Sequence, residues 1–180
     1  MAVVAIILHV IGTVIGAGTV TANDLMFMGS IGDKDLGKGY QRMAPIFSLL
    51  IWLALALLIG TGTFFLIERP QILSSEKMLT KLGVVAIVAI NGIIMNLLLH
   101  KKLEAITEKD WAEKSSRLKA LVFMGLPFGV ISVASWYTAL ILGAAGRQSW
   151  TFIQIAPLYL GAIIIGYILG RIYLGMKFKK

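Results

Sequence analysis

The chain has 180 residues, 58% of them hydrophobic and 14% charged, with no Cys and a formal net charge of +8. This composition is too apolar for a soluble domain and too short for a large transporter, so a single transmembrane helical domain is expected over residues 1–180. The lack of Cys excludes disulfides, thiolate metal sites and iron–sulfur clusters. The positive charge does not indicate nucleic-acid binding, because the Lys and Arg lie between apolar spans, where charge sets orientation and meets anionic lipid heads.

Five apolar spans of roughly 18–26 residues each are expected, which is the length a helix needs to cross a bilayer. They cover residues 3–22, 44–67, 82–99, 120–145 and 151–174. The predicted fold class is an all-α polytopic membrane protein, a bundle of five transmembrane helices. Arg69, Lys77, Lys81 and Arg147 fall on the side that holds the N-terminus, and the remaining 13 of the 17 Lys and Arg fall on the other. Cytoplasmic loops carry the excess of Lys and Arg, so the N-terminus is expected outside and the C-terminus in the cytoplasm.

The first span carries no charge before Asp24. At about 100° per residue, Gly12, Thr13, Gly16, Val20, Asn23 and Asp24 fall within about 60° of His9. Lipid does not reward such a stripe, so it is expected to face other helices. Gly12 and Gly16 read as a packing groove, and His9 as either an interior hydrogen-bonded residue or a functional ionisable group at membrane depth. Val20-Thr21-Ala22 would pass as a signal cleavage site, but no positively charged region precedes the segment, so it is expected to be retained.

Residues 23–43 read as a solvated loop. Its Gly32-Asp-Lys-Asp-Leu-Gly37-Lys38-Gly39 run approaches a phosphate loop, but Gly39 stands where the magnesium-binding Ser or Thr belongs and no strand precedes it. Asp33 and Asp35 lack the downstream Glu of a calcium loop. The second span carries Trp52 and ends in Gly60-Thr61-Gly62-Thr63, small residues suited to close packing.

The third span opens after Lys81 and contains Asn91 and Asn96. Two amides in one apolar span predict interhelical hydrogen bonds, with a proton or solute path as the alternative. His100 follows at the interface. Residues 100–119 are mixed-charge, and Leu103, Ile106 and Trp111 are expected to seat a surface helix at the headgroups. The fourth span has Gly125, Gly129, Ser132 and Trp136 on one face, a bend expected at Pro127, and a polar run Ser135-Trp136-Tyr137-Thr138. In the fifth, Gly166 and Gly170 read as a helix-packing pair, and Arg171, Lys177, Lys179 and Lys180 as anchors in anionic headgroups.

By this orientation His9, Lys81, Trp136, Tyr137 and Gln154 gather in the outer leaflet, while Asn23, Asp24, Asn96 and His100 form a second polar layer at the cytoplasmic end. One His cannot make a zinc or copper site, which takes three or four ligands. Haem iron takes one or two axial ligands, so a lone membrane His is compatible with it. No Ser-His-Asp or paired-carboxylate constellation lies within the spans.

Leu8-His9-Val10-Ile11-Gly12, Gly16, Met43-Ala44-Pro45, Ile51-Trp52, Gly60-Thr61-Gly62 and Lys81 together resemble the HemJ/CopD-like group of small multi-pass bacterial membrane proteins, over roughly the first 100 residues. In the HemJ type, a membrane protoporphyrinogen oxidase, a first-span His and a Lys opening a later span are key positions, and haem b is implicated. His9 and Lys81 match them. The HemJ type also has a His about ten residues after the Lys, where this chain has Asn91, so the resemblance implies a relative of the same architecture and not the oxidase itself.

Three functions follow as expectations. The first is a haem-binding or redox-related membrane protein: His9 would be the axial ligand of haem b, Lys81 would contact a propionate or transfer a proton, and Trp136 and Tyr137 would line the pocket. The second is a small ion, proton or solute transporter or channel, with a path running from His9 to Asp24 beside Asn91 and Asn96. The third is a structural subunit, since the Gly-xxx-Gly faces permit a homo-oligomer or a membrane-complex partner.

Overall fold

The computed structural model describes residues 2–146 and 150–179. Among them, the long elements are α1 (Ala2–Ser30), α2 (Lys34–Glu68), α3 (Glu76–Glu104), α5 (Ser116–Ala144) and α6 (Phe152–Lys177). All five are long and apolar enough to cross a membrane. A 3-10 turn, Pro70–Ser74, joins α2 to α3, and a short helix α4 (Glu108–Glu113) lies between α3 and α5. In hydrocarbon a backbone must satisfy its own hydrogen bonds, so apolar segments of this length are helical. Pro127 does not interrupt α5, which continues through it. Arg147 and Lys180, two of the cations used to orient the chain, lie outside the described residues.

The loop expected over residues 23–43 is helical apart from 31–33. Charge and glycine end a hydropathy window sooner than they end a helix. Asp33 caps α2, its Oδ1 accepting from the Asp35 and Leu36 N–H groups at 2.9 and 3.0 Å. Ser30, fully buried, donates to the Met26 and Leu36 carbonyls and closes the turn. Gly32 holds φ +90°, which a side chain would resist.

The segment expected to float at the headgroups is also different. Trp111 is 0% exposed and packs edge-on to Phe27 and Tyr40, with ring centroids at 6.0 and 6.2 Å. Its ring lies where a Cβ on Gly37 would be, so a glycine in α2 is what admits it. Ile106 is buried in the same cluster, with Leu118, Leu126 and Leu174. Trp111 thus closes one end of the bundle from inside and does not face lipid.

The capping box of α4 makes a measurable prediction. The Thr107 backbone N–H and hydroxyl donate to Asp110 Oδ2 at 2.8 and 2.7 Å. The Ser115 hydroxyl and these Thr107 donors hold the Asp110 carboxyl down at about 2. An ordinary Asp titrates near about 3.9. A carboxyl depressed on folding stabilises fully above its unfolded value, and the contribution disappears as pH falls through the folded one. Between about pH 4 and pH 2, then, α4 should loosen and the Trp111 emission should shift to the red, identified by subtracting a Trp111→Phe spectrum. Asp110→Asn should remove that step; an unchanged acid profile in this variant would refute the assignment.

The remaining helices meet through small residues, as expected where lipid supplies no hydrophobic drive between them. Gly12 faces Ala54 and Leu57 of α2, and Gly16 takes the Trp136 ring of α5. Gly166 and Gly170 of α6 take Val130 and Leu126 of α5, so this pair packs as its spacing predicts. Asn91 is buried and its Nδ2 donates to the Phe128 carbonyl at 2.9 Å, the interhelical bond expected of it. A second buried cluster, with Ala17, Val20, Ala54, Leu58, Val88 and Trp136, ties α1, α2, α3 and α5 together.

Candidate functional site

The stripe from His9 to Asp24 faces inward. Gly12, Gly16 and Val20 are buried, while His9, Thr13, Asn23 and Asp24 are half-buried. The stripe does not, however, line one chamber. At its upper end His9 Nδ1 is 2.8 Å from Thr61 Oγ1, and Phe65 stands edge-on to the imidazole at 5.8 Å. Thr61 in turn donates to the Leu57 carbonyl at 2.6 Å. Lys81 on α3 makes no hydrogen bond or ion pair with His9 among the described residues. Trp136 and Tyr137 do not join His9 either. Trp136 is 1% exposed and seated on Gly16, two turns along α1 from His9, with its indole N–H in the buried interior. Tyr137 hydrogen bonds Thr21 at 3.0 Å, further along again.

The second polar layer is the one the fold assembles. A cleft of about 640 Å³ follows α5 and is walled by α1, α2, α3 and α6. Its volume lies within the roughly 300–1,000 Å³ usual for small-molecule sites. Along α5 it runs from Leu121 to Leu142, about 30 Å at about 1.5 Å per residue. Most of the wall is aliphatic or aromatic, while Asn23, Asp24, Asn96 and His100 all contribute to it. α2 and α3 touch sparsely, and the Trp52 ring of α2 lies against Gly92 of α3. His9, Lys81 and Trp136 are not in this wall, Asn91 is spent on its bond to α5, and Tyr137 is in the wall.

Asp24 is the group that sets the chemistry of the cleft. Its Oδ1 accepts from Asn23 Nδ2 at 3.1 Å, and Asn23 Oδ1 accepts from the Tyr40 hydroxyl at 3.2 Å. Its Oδ2 faces the bare backbone of Gly129 on α5, 3.6 Å from where a Cβ would be, and accepts no hydrogen bond among the described residues. Gly129 is ten residues past Lys119, the last charge before α5 enters its apolar stretch, so the carboxyl lies about 15 Å along that helix from charged surface. The wall holds no Lys or Arg among the described residues.

Two contributors were not expected from the sequence. Tyr40 sat in a stretch read as loop, so its place on an inward helix face was invisible. Thr61 lay inside a run read as generic packing, yet it is the partner of His9, while Gly60 and Gly62 on either side face open space.

The residues present do not fit a haem. His9 lies on the seam between α1 and α2, outside the cleft wall, and the two aromatic residues expected around it are seated elsewhere. In the cleft itself, propionates would meet the Asp24 carboxyl with no Lys or Arg to receive them. No three His, Cys, Asp or Glu side chains converge into a metal-binding group among the described residues. Compared with protein-family models, with curated proteins and with solved structures, the chain matches none.

Proposed function

We propose that the chain is a multi-pass protein of the bacterial plasma membrane that binds a small amphipathic molecule inside the bilayer, as a step in carrying it between the two faces. The observation that carries this reading is the cleft: it is mostly apolar, follows most of the length of α5, and has Asp24 as the one carboxylate among its described lining residues. An ionisable side chain kept at membrane depth marks a solute path more often than a structural contact. The orientation proposed with it places the N-terminus outside and the C-terminus in the cytoplasm, where Lys34, Lys38, Arg42, Lys101 and Lys102 would meet anionic headgroups.

The test uses Nile red, a neutral amphipathic dye, on the detergent-purified protein. Saturable binding is expected, and Ser48→Trp, which fills the cleft from the α2 wall, should weaken it by about tenfold or more, a loss of about 1.4 kcal/mol. Dye binding that ignores Ser48→Trp, in a variant with unchanged helicity and elution volume, would overturn the reading.

A further inference from the structure

We infer that the molecule taken into the cleft is an organic cation, a substituted ammonium, phosphonium or guanidinium, held by Asp24 between aromatic walls. This rests on the cleft being the binding site and adds the charge class of its occupant.

Asp24 Oδ2 is turned toward Gly129 and is left without a protein donor among the described residues. A carboxylate in an apolar cavity is costly unless something neutralises it. The protein supplies only the Asn23 amide, to the other oxygen. No Lys or Arg stands in the described wall, and its one histidine, His100, lies 3.3 Å from Glu104, so a cation for Asp24 comes from outside or a proton takes its place.

The neighbouring surface fits that visitor. Phe27, Tyr40 and Trp52 line the same cleft, and their ring faces attract a positive charge. Phe27 and Tyr40 are fixed by packing against each other at 5.1 Å and against Trp111. The Tyr40 hydroxyl is held by Asn23, which is held to Asp24, so ring and carboxylate keep one relative position before any ligand arrives. The glycine at 129 places no side chain beside the carboxylate oxygen. An anionic solute would meet the Asp24 carboxylate with no Lys or Arg in the described wall to offset it.

The discriminating pair is tetraphenylphosphonium and tetraphenylborate, alike in shape and opposite in charge. Binding of each to the full-length purified protein is measured by calorimetry, with Nile red as the neutral control. The phosphonium is expected to bind at least about tenfold tighter than the borate, and Asp24→Asn should remove that preference while Nile red still binds. Asp24→Glu should restore part of it, which separates lost charge from lost fold. Equal affinity for the two ions, or a phosphonium preference that survives in Asp24→Asn, overturns the inference and leaves the cleft as a binding site. Failure of all three probes to bind overturns both the inference and the reading beneath it.

Discussion

Trp111→Ala is expected to lower stability by about 3–5 kcal/mol. The side chain is fully buried, and Phe27 and Tyr40 pack on it edge-on. Its ring also covers Gly37 and so joins α4 to the first turn of α2. Deleting it leaves a void that the backbone of α2 cannot close, because Gly37 has no side chain to move in. Thermal unfolding in detergent, followed by circular dichroism, would read the loss. Trp111→Phe should cost distinctly less. A melting midpoint for Trp111→Ala close to that of the parent would show that the cluster does not hold this end of the bundle. Because Tyr40 and Phe27 belong both to this cluster and to the cleft wall, the same variant should also weaken Nile red binding.

The second large effect is expected at Gly16. A Cβ on this residue would overlap the edge of the six-membered ring of Trp136. Neither partner has room to yield, since Trp136 is 1% exposed and lies among Ala17, Leu55, Val88 and their neighbours. Overpacking of this kind costs about 1–3 kcal/mol for a small increment, so Gly16→Ala should destabilise within that range and Gly16→Leu beyond it. The damage should fall on the contact of α1 with α5, which also sets the distance from Asp24 to Gly129. In the double variant Gly16→Ala with Trp136→Phe, the shorter ring frees the space. Its total cost should therefore fall below the sum of the two single costs, by about 0.5 kcal/mol or more. Strict additivity would mean that the two residues do not share the contact. Gly18, two residues away, has open space where its Cβ would go and serves as the control: Gly18→Ala should be neutral or slightly stabilising.

The two positions differ in how far the sequence announced them. Gly16 could be anticipated, because it shares a helix face with His9, Gly12 and Val20 and that face had to meet another helix. What filled the groove could not: Trp136 is 120 residues away in the chain, and its own context, a polar run in the fourth span, suggested a pocket lining. Trp111 was misread in the other direction. Its charged surroundings place it at the membrane surface by composition, and only the approach of Gly37 makes an interior place for it. His9 and Lys81 were legible as two groups at one depth, and the fold leaves both outside the cleft. Asp24 was legible as a polar residue at the end of an apolar run. That α1 continues as helix to Ser30, carrying Asp24 inside the bundle, was hidden by the charges and glycines that follow it.

By itself the sequence determined that the chain is helical, that five of its segments can cross a membrane, and that its cations are unevenly divided between the two ends. These follow from local quantities: in hydrocarbon each segment must satisfy its own backbone hydrogen bonds, and each charge stays near water according to its own solvation. The tertiary structure alone decided which polar residues share a space. Asp24, Tyr40 and Gly129 meet because three helices pack through particular glycines and rings, and that packing depends on the shapes of side chains far apart in the chain. Hydropathy fixes depth along each helix; only interdigitation of the helices fixes which sides face one another.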